Sequence, residues 1–185
     1  MLKRALGKHA YTNVARLYHS AGYGERVTAW GLCSMAIFRE EHEVALAHLA
    51  AACPTGADLA ETLELDGPLP VPEGWRAGFT RGTLLCQLGR APEAIPCFDQ
   101  ASAFDGGACG PASAGLQIRR SAPDLLNNWG VALAQTGQLD AGRAKFAAAL
   151  ELSPGYLDAR LNLEAAAPSY LTSHPLRRQP SRSEY

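Results

Sequence analysis

Two pairs of glycines, each pair seven residues apart, constrain this chain more than any other feature: Gly82 with Gly89, and Gly130 with Gly137. The first glycine of each pair interrupts a helical pattern. Around Gly130 the residues Leu126, Trp129, Gly130, Leu133 and Ala134 fall at i, i+3, i+4, i+7 and i+8, one face of a helix. A glycine inside a helix costs about 1 kcal/mol against alanine, so a neighbour must need the space its side chain leaves. The second glycine stands where a left-handed helix end is wanted. Beyond it Gly142, Phe146, Ala149 and Leu150 trace a second apolar face, closed by Ser153-Pro154-Gly155. Two helices joined by so short a turn must lie antiparallel.

These residues resemble a tetratricopeptide repeat (TPR), a helix–turn–helix unit of about 34 residues. Segment 123–156 carries the small residue midway along the first helix (Gly130), the turn glycine (Gly137), the aromatic of the second helix (Phe146), the small residue after it (Ala149) and the closing proline (Pro154). It departs from the family at Gly142, where alanine is usual, and at Trp129, where leucine is commoner. Segment 74–105 places Gly82, Leu85, Gly89, Ala94, Phe98 and Ala101 in the same slots. There Arg81 stands in the slot of Trp129, Pro92 opens the second helix, and Pro96 lies deep enough to bend or strain it. A degenerate pair is expected over 25–54, where Trp30-Gly31 echoes Trp129-Gly130, Arg39-Glu40-Glu41 replaces the turn glycine and Pro54 closes the second helix. Residues 157–167 read as a capping helix that covers the last apolar face.

The fold expected is therefore all-α: an α-solenoid of TPR-type pairs with inserted loops. Gly31 to Gly82 is 51 residues and Gly82 to Gly130 is 48, both longer than a strict array. The surplus falls in 55–73, read as a linker with a short helix near 57–64, and in 106–122, read as an inserted loop rich in glycine, alanine and serine.

Composition fits an ordinary soluble domain: 185 residues, 47% hydrophobic, 19% charged, net charge −1. Without a basic field, nucleic acid is not an expected partner. Residues 1–24 differ in kind. They hold Lys3, Arg4, Lys8 and Arg16 and no acid, and read as a basic amphipathic helix or, alternatively, as an organellar import segment. Five scattered cysteines (Cys33, Cys53, Cys86, Cys97, Cys109) without C-x-x-C spacing argue for a reducing compartment, so a cytoplasmic location is expected, with an organellar one as the alternative.

Catalytic patterns are absent. There is no phosphate-binding loop and no dinucleotide fingerprint. The stretch around Ser113 lacks the first glycine of a nucleophile elbow. In HEVALAH the position of a second zinc-binding histidine is Leu46, leaving His42 and His48 six apart on different helix faces. Cys109 is the one thiol expected in an exposed loop, with no neighbouring base to activate it. No enzymatic activity, metal or cofactor is implied.

The resemblance implies a groove lined by the first helix of each pair. Arg76, Phe79, Thr80, Thr83 and Gln87 face it from the middle repeat, Asp124, Asn127, Asn128, Val131 and Gln135 from the next, and Asp158, Leu161 and Asn162 from the capping helix. In the family an asparagine in the slot shared by Asn128 and Asn162 hydrogen-bonds a bound peptide's backbone; the alternative is that these amides brace neighbouring helices. Family members that clamp a C-terminal carboxylate use basic residues where this chain has Phe79, Thr83, Asp158 and Asn162, so a mixed-charge extended peptide is expected instead. The proline- and arginine-rich tail 168–185 offers Tyr170, Leu171 and Leu176 as anchors, with Arg177 and Arg178 to pair acids. The function expected is that of a protein-interaction adaptor or scaffold, one subunit of a larger complex. The alternative is an assembly factor or peripheral subunit of a membrane-bound complex, touching the membrane only through residues 1–24.

Overall fold

One turn geometry, used three times, folds the sequence into helix pairs. Gly89 (φ +74°) and Gly137 (φ +82°) take the left-handed conformation, and so does Glu40 (φ +58°). In each turn the next amide reaches back five residues: Glu41 to the Ala36 carbonyl at 2.9 Å, Arg90 to Leu85 at 2.8 Å, Gln138 to Leu133 at 2.9 Å. The left-handed residue itself donates three back, to Ile37, Cys86 and Ala134. Two otherwise orphaned carbonyls are thereby satisfied at each helix end. Glu40 shows that the backbone requirement outlives the glycine that usually meets it.

The computed structural model describes residues 2–22, 24–53, 73–103 and 112–166. Among the described residues it holds eight helices and no strand, so the protein is all-α. They are α1 (Leu2–Ser20), α2 (Glu25–Phe38), α3 (His42–Ala52), α4 (Glu73–Gln87), α5 (Ala91–Ser102), α6 (Ala112–Gln135), α7 (Leu139–Leu152) and α8 (Leu157–Ala165). They fall into two compact units, one holding α1–α3 and the other α4–α8. No helix among the described residues is long and apolar enough to cross a membrane.

In the first unit α2 pairs with α3, where Leu49 is buried with the small Cys33, Ala36 and Ala45, and α1 packs on α2. The Gly31 notch is filled from α1: a Cβ at Gly31 would meet the Tyr18 ring at 2.6 Å. A polar knot fastens the middle of α1. The Tyr11 hydroxyl donates to Glu41 at 2.7 Å, and its ring stacks on His48 at 5.5 Å. Arg39 pairs with Glu41 at 3.0 Å.

In the second unit α4 pairs with α5 and α6 with α7, while α5 also packs on α6 and α7 on α8. The notches are filled within each pair. A Cβ at Gly82 would meet the Phe98 ring at 2.6 Å, and one at Gly130 the Phe146 ring at 2.5 Å. Both rings are fully buried. At Gly130 the backbones also close up, the Gly142 carbonyl lying 3.0 Å from that Cβ position. Gly142 is thus explained: its own Cβ would stand 2.8 Å from the Gly130 carbonyl. In α4–α5 the matching backbone approach comes one turn earlier, where Gly78 faces the Cys97 carbonyl at 3.0 Å. Trp129 is explained too: Lys145 of α7 sits 3.3 Å above its ring.

One expectation needs correcting. α6 starts at Ala112, so residues 112–121 are helix, although 106–122 read as a loop. The glycines and serines there, and Pro123, hid a run of good helix formers, Leu116-Gln117-Ile118-Arg119-Arg120. α5 spans Ala91 to Ser102 with Pro96 inside it. Proline forfeits one backbone bond there, and Pro96 is exposed, where water can serve the freed carbonyl. The short helix expected at 57–64, Pro54, Cys109 and the tail residues Tyr170, Leu171, Leu176, Arg177 and Arg178 lie outside the described residues.

Candidate interaction face

Because α5 and α7 each lie between successive pairs, α4, α6 and α8 come side by side, α6 touching both of the others. The wheel positions assigned to a groove lie on these three helices. Two rows run across them. Arg76, Asp124 and Asp158 form one; Thr80, Asn128 and Asn162, each four residues further along its helix, form the other. Four residues is one helical turn, so the rows are neighbours.

A relay of side-chain hydrogen bonds takes in Asn128 and Asn162 of the second row and crosses the helices. Asn162 Nδ2 on α8 donates to Asn127 Oδ1 on α6 at 2.9 Å. Asn127 Nδ2 donates to Asn128 Oδ1 at 3.4 Å, and Asn128 Nδ2 to Thr83 Oγ1 on α4 at 3.2 Å. All four side chains are buried: Asn127 and Asn128 at 0% exposure, Asn162 at 1%, Thr83 at 5%. A buried amide left unsatisfied costs about 1–3 kcal/mol, so this chain of bonds holds α4, α6 and α8 in register. The bracing role weighed for these asparagines is the one their geometry displays. Asparagine at 127 was placed on the face from the sequence, but not as the hub of the relay.

The other positions divide by burial. Phe79 and Val131 are core residues: Phe79 lies between Trp75 (5.1 Å) and Phe98 (6.4 Å), and Val131 packs with Phe146, Leu163 and Ala166. Thr80 and Asp124 are buried, Arg76, Gln87, Asp158 and Leu161 are half-buried, and Gln135 is exposed. The Thr80 hydroxyl oxygen is buried with no hydrogen-bond partner among the described residues. It occupies in α4 the slot that Asn128 occupies in α6, 48 residues on. The four described cysteines, Cys33, Cys53, Cys86 and Cys97, are thiols, and burial pushes the Cys97 thiol up.

No family model and no curated protein matches this sequence.

Proposed function

We propose that this chain is a non-catalytic interaction adaptor: TPR-type helix pairs stacked as an α-solenoid, with α4, α6 and α8 forming a face for an extended peptide or a partner subunit. The observation that carries this reading is the pair of polar rows crossing three adjacent helices. A face needed only for packing would be met more cheaply by apolar side chains, since every buried polar group must be satisfied. The relay through Asn127 and Asn128 holds the lining rigid, and rigid elements position binding groups better than loops do. Arg76 at one end and Asp124 and Asp158 at the other suit a ligand of mixed charge.

The test is binding of labelled extended peptides to the full chain, with a photo-crosslinker placed in turn at Gln87, Asp158 and Glu151. Peptides of mixed charge are expected to crosslink from Gln87 and Asp158, which line the face, and not from Glu151 on α7. Tighter binding of a doubly acidic C-terminal peptide than of its amidated form would contradict the charge reading. Crosslinks from Glu151 alone would move the site off this face.

A second reading rests on α1, which spans Leu2–Ser20 and carries no acid. Basic, acid-free helices are drawn to anionic lipid. As a peripheral subunit or assembly factor of a membrane-bound complex, the chain would float with anionic liposomes and stop doing so when residues 1–24 are removed. A reducing compartment, cytoplasmic or organellar, suits either role.

A further inference from the structure

We propose that the α2–α3 pair carries a docking site for an amphipathic helix of another protein, one that presents two tyrosines seven residues apart, and that α1 occupies this site in the free chain. The site lies wholly within the first unit and goes beyond the face on α4, α6 and α8. Three observations carry it.

The first is that Gly31 is surplus to the pairing of α2 with α3. The left-handed turn residues Glu40, Gly89 and Gly137 give each pair a common origin. Seven residues before them the notch slot holds Cys33, Gly82 and Gly130; nine residues after them the ring slot holds Leu49, Phe98 and Phe146. Cys33 and Leu49 are fully buried, as both rings are. The α2–α3 pair therefore closes in the register of the other two, with Cys33 in the notch. Gly31 stands two residues before that slot, so the echo of Trp129-Gly130 at Trp30-Gly31 is out of register. The three atoms nearest to a Cβ at Gly31 all belong to the Tyr18 side chain. A glycine inside a helix is unfavourable, and this one serves the helix laid over it, not the pair beneath.

The second is the chemistry of what fills the site. Tyr11 and Tyr18 lie seven residues apart, two turns of α1, and form one half-buried face with Val14 and Ala15. Tyr18 brings the end of its ring to Gly31. The Tyr11 hydroxyl donates to Glu41 at 2.7 Å, and its ring stacks on His48 at 5.5 Å, with the Arg39 guanidinium 6.0 Å from the ring centre. The site thus takes a ring at one end and a phenol at the other, and the acceptor at Glu41 favours tyrosine over phenylalanine.

The third is how lightly α1 is held. None of its described side chains, residues 10–20, is buried, whereas Cys33, Ala36, Ala45 and Leu49 of the pair beneath are. An element with few buried apolar contacts is among the first to open. Opening α1 offers Gly31, Glu41 and His48 to an incoming helix while α2 and α3 keep their shared core.

The test is binding of a labelled peptide of residues 2–22 to the full chain, read by fluorescence anisotropy. The tethered α1 competes at high effective concentration, so the wild-type chain is expected to bind weakly. Tyr18→Ala in the chain loosens α1 and is expected to tighten binding at least tenfold. Adding Gly31→Leu to that chain, or Tyr18→Ala to the peptide, is expected to undo the gain, and Tyr11→Phe in the peptide to cost several-fold. A host helix of alanine and glutamine carrying only two tyrosines seven residues apart is expected to bind as well, and to lose binding when the spacing is five. Equal binding to the wild-type and Tyr18→Ala chains overturns the proposal. So does loss of hydrogen-exchange protection in α3 of the Tyr18→Ala chain, which would make α1 part of the core. Binding of the α1 peptide but not of the host helix would give the site to α1 of a second copy and overturn the foreign partner.

Discussion

The dipeptide Trp-Gly occurs twice, at 30–31 in α2 and at 129–130 in α6, and does different work in the two places. At Gly130 the vacated space is filled by the buried ring of Phe146 from the paired helix α7, with the Gly142 backbone closing in beside it. At Gly31 it is filled by the far end of Tyr18 of α1, the preceding helix, a half-buried side chain. A helix-interior glycine thus marks a close neighbour but not which helix supplies it. The two sites also differ in tolerance. One notch is sealed by a fixed ring and a carbonyl, the other by the far end of a movable side chain.

The sharpest way to break this comparison is to fill both notches. Gly130→Ala is expected to destabilise by about 2 kcal/mol in urea unfolding, because overpacking a rigid contact costs up to about 3 kcal/mol and only ~1 kcal/mol is regained in helix propensity. No loss would mean that Phe146 does not hold the notch shut. Asn127→Ala asks whether the layer α4–α6–α8 depends on its polar relay as α6–α7 depends on its notch. It removes the buried oxygen to which Asn162 donates and is expected to cost about 2 kcal/mol. An effect below about 0.5 kcal/mol, the range of ordinary surface substitutions, would take the bracing role away from it.

The turns extend the comparison on a smaller scale. Gly137→Ala puts a Cβ into a left-handed residue and is expected to cost about 1 kcal/mol, while Glu40→Gly removes one and is expected to gain about as much. Equal and opposite shifts in melting temperature would show that the two turns are the same device. A loss for Glu40→Gly would mean that the glutamate side chain contributes something its geometry hides.

The α1 seat supplies a pH test. Burial first, and the Glu41 hydrogen bond second, push the Tyr11 phenol up to about 12. A raised tyrosine stabilises fully below its unfolded value of about 10 and loses that contribution between there and about 12. Burial holds His48 below its ordinary value, and the Tyr11 hydroxyl holds Glu41 below its own. Depressed groups contribute above their unfolded values, about 6.5 and 4.3, and lose it as pH falls past them. Hydrogen-exchange protection of α1 is therefore expected to peak between about pH 7 and 10 and to fall on both sides. Tyr11→Phe should abolish the alkaline limb while leaving α6 unaffected. The smallest effect belongs to Gly31→Ala. The propensity gain and the displacement of Tyr18 nearly cancel, so global stability is expected to move by less than ~0.5 kcal/mol, with faster exchange in α1 alone.

How much of this was legible in the sequence follows from the range of each interaction. The helix pairs and their turns were readable because periodicity and chain reversal are local: Gly89 and Gly137 announce their own backbone angles. The α6 extension back to Ala112 was hidden by composition, since Pro123 and a glycine-rich approach outvoted five consecutive helix formers. Phe79 was placed on the groove by its wheel position, yet the wheel cannot see that Trp75 and Phe98 enclose it. The polar rows were visible as residue types, but the relay through Asn127 and Asn128 was not, because Asn127 is reached by Asn162, 35 residues away, and Asn128 reaches Thr83, 45 residues away on the other side. Tyr18 in the Gly31 notch left no sequence signal at all, beyond an aromatic in a basic helix.

The most direct trial of the notch is a double-mutant cycle between Gly130→Ala and Phe146→Leu, read by equilibrium unfolding. If the buried ring occupies the space at Gly130, the alanine should cost far less once the ring is trimmed, giving a coupling energy above about 1 kcal/mol. Additive losses, within about 0.3–0.5 kcal/mol, would show that the two residues do not meet, and the pairing of α6 with α7 would need another cause.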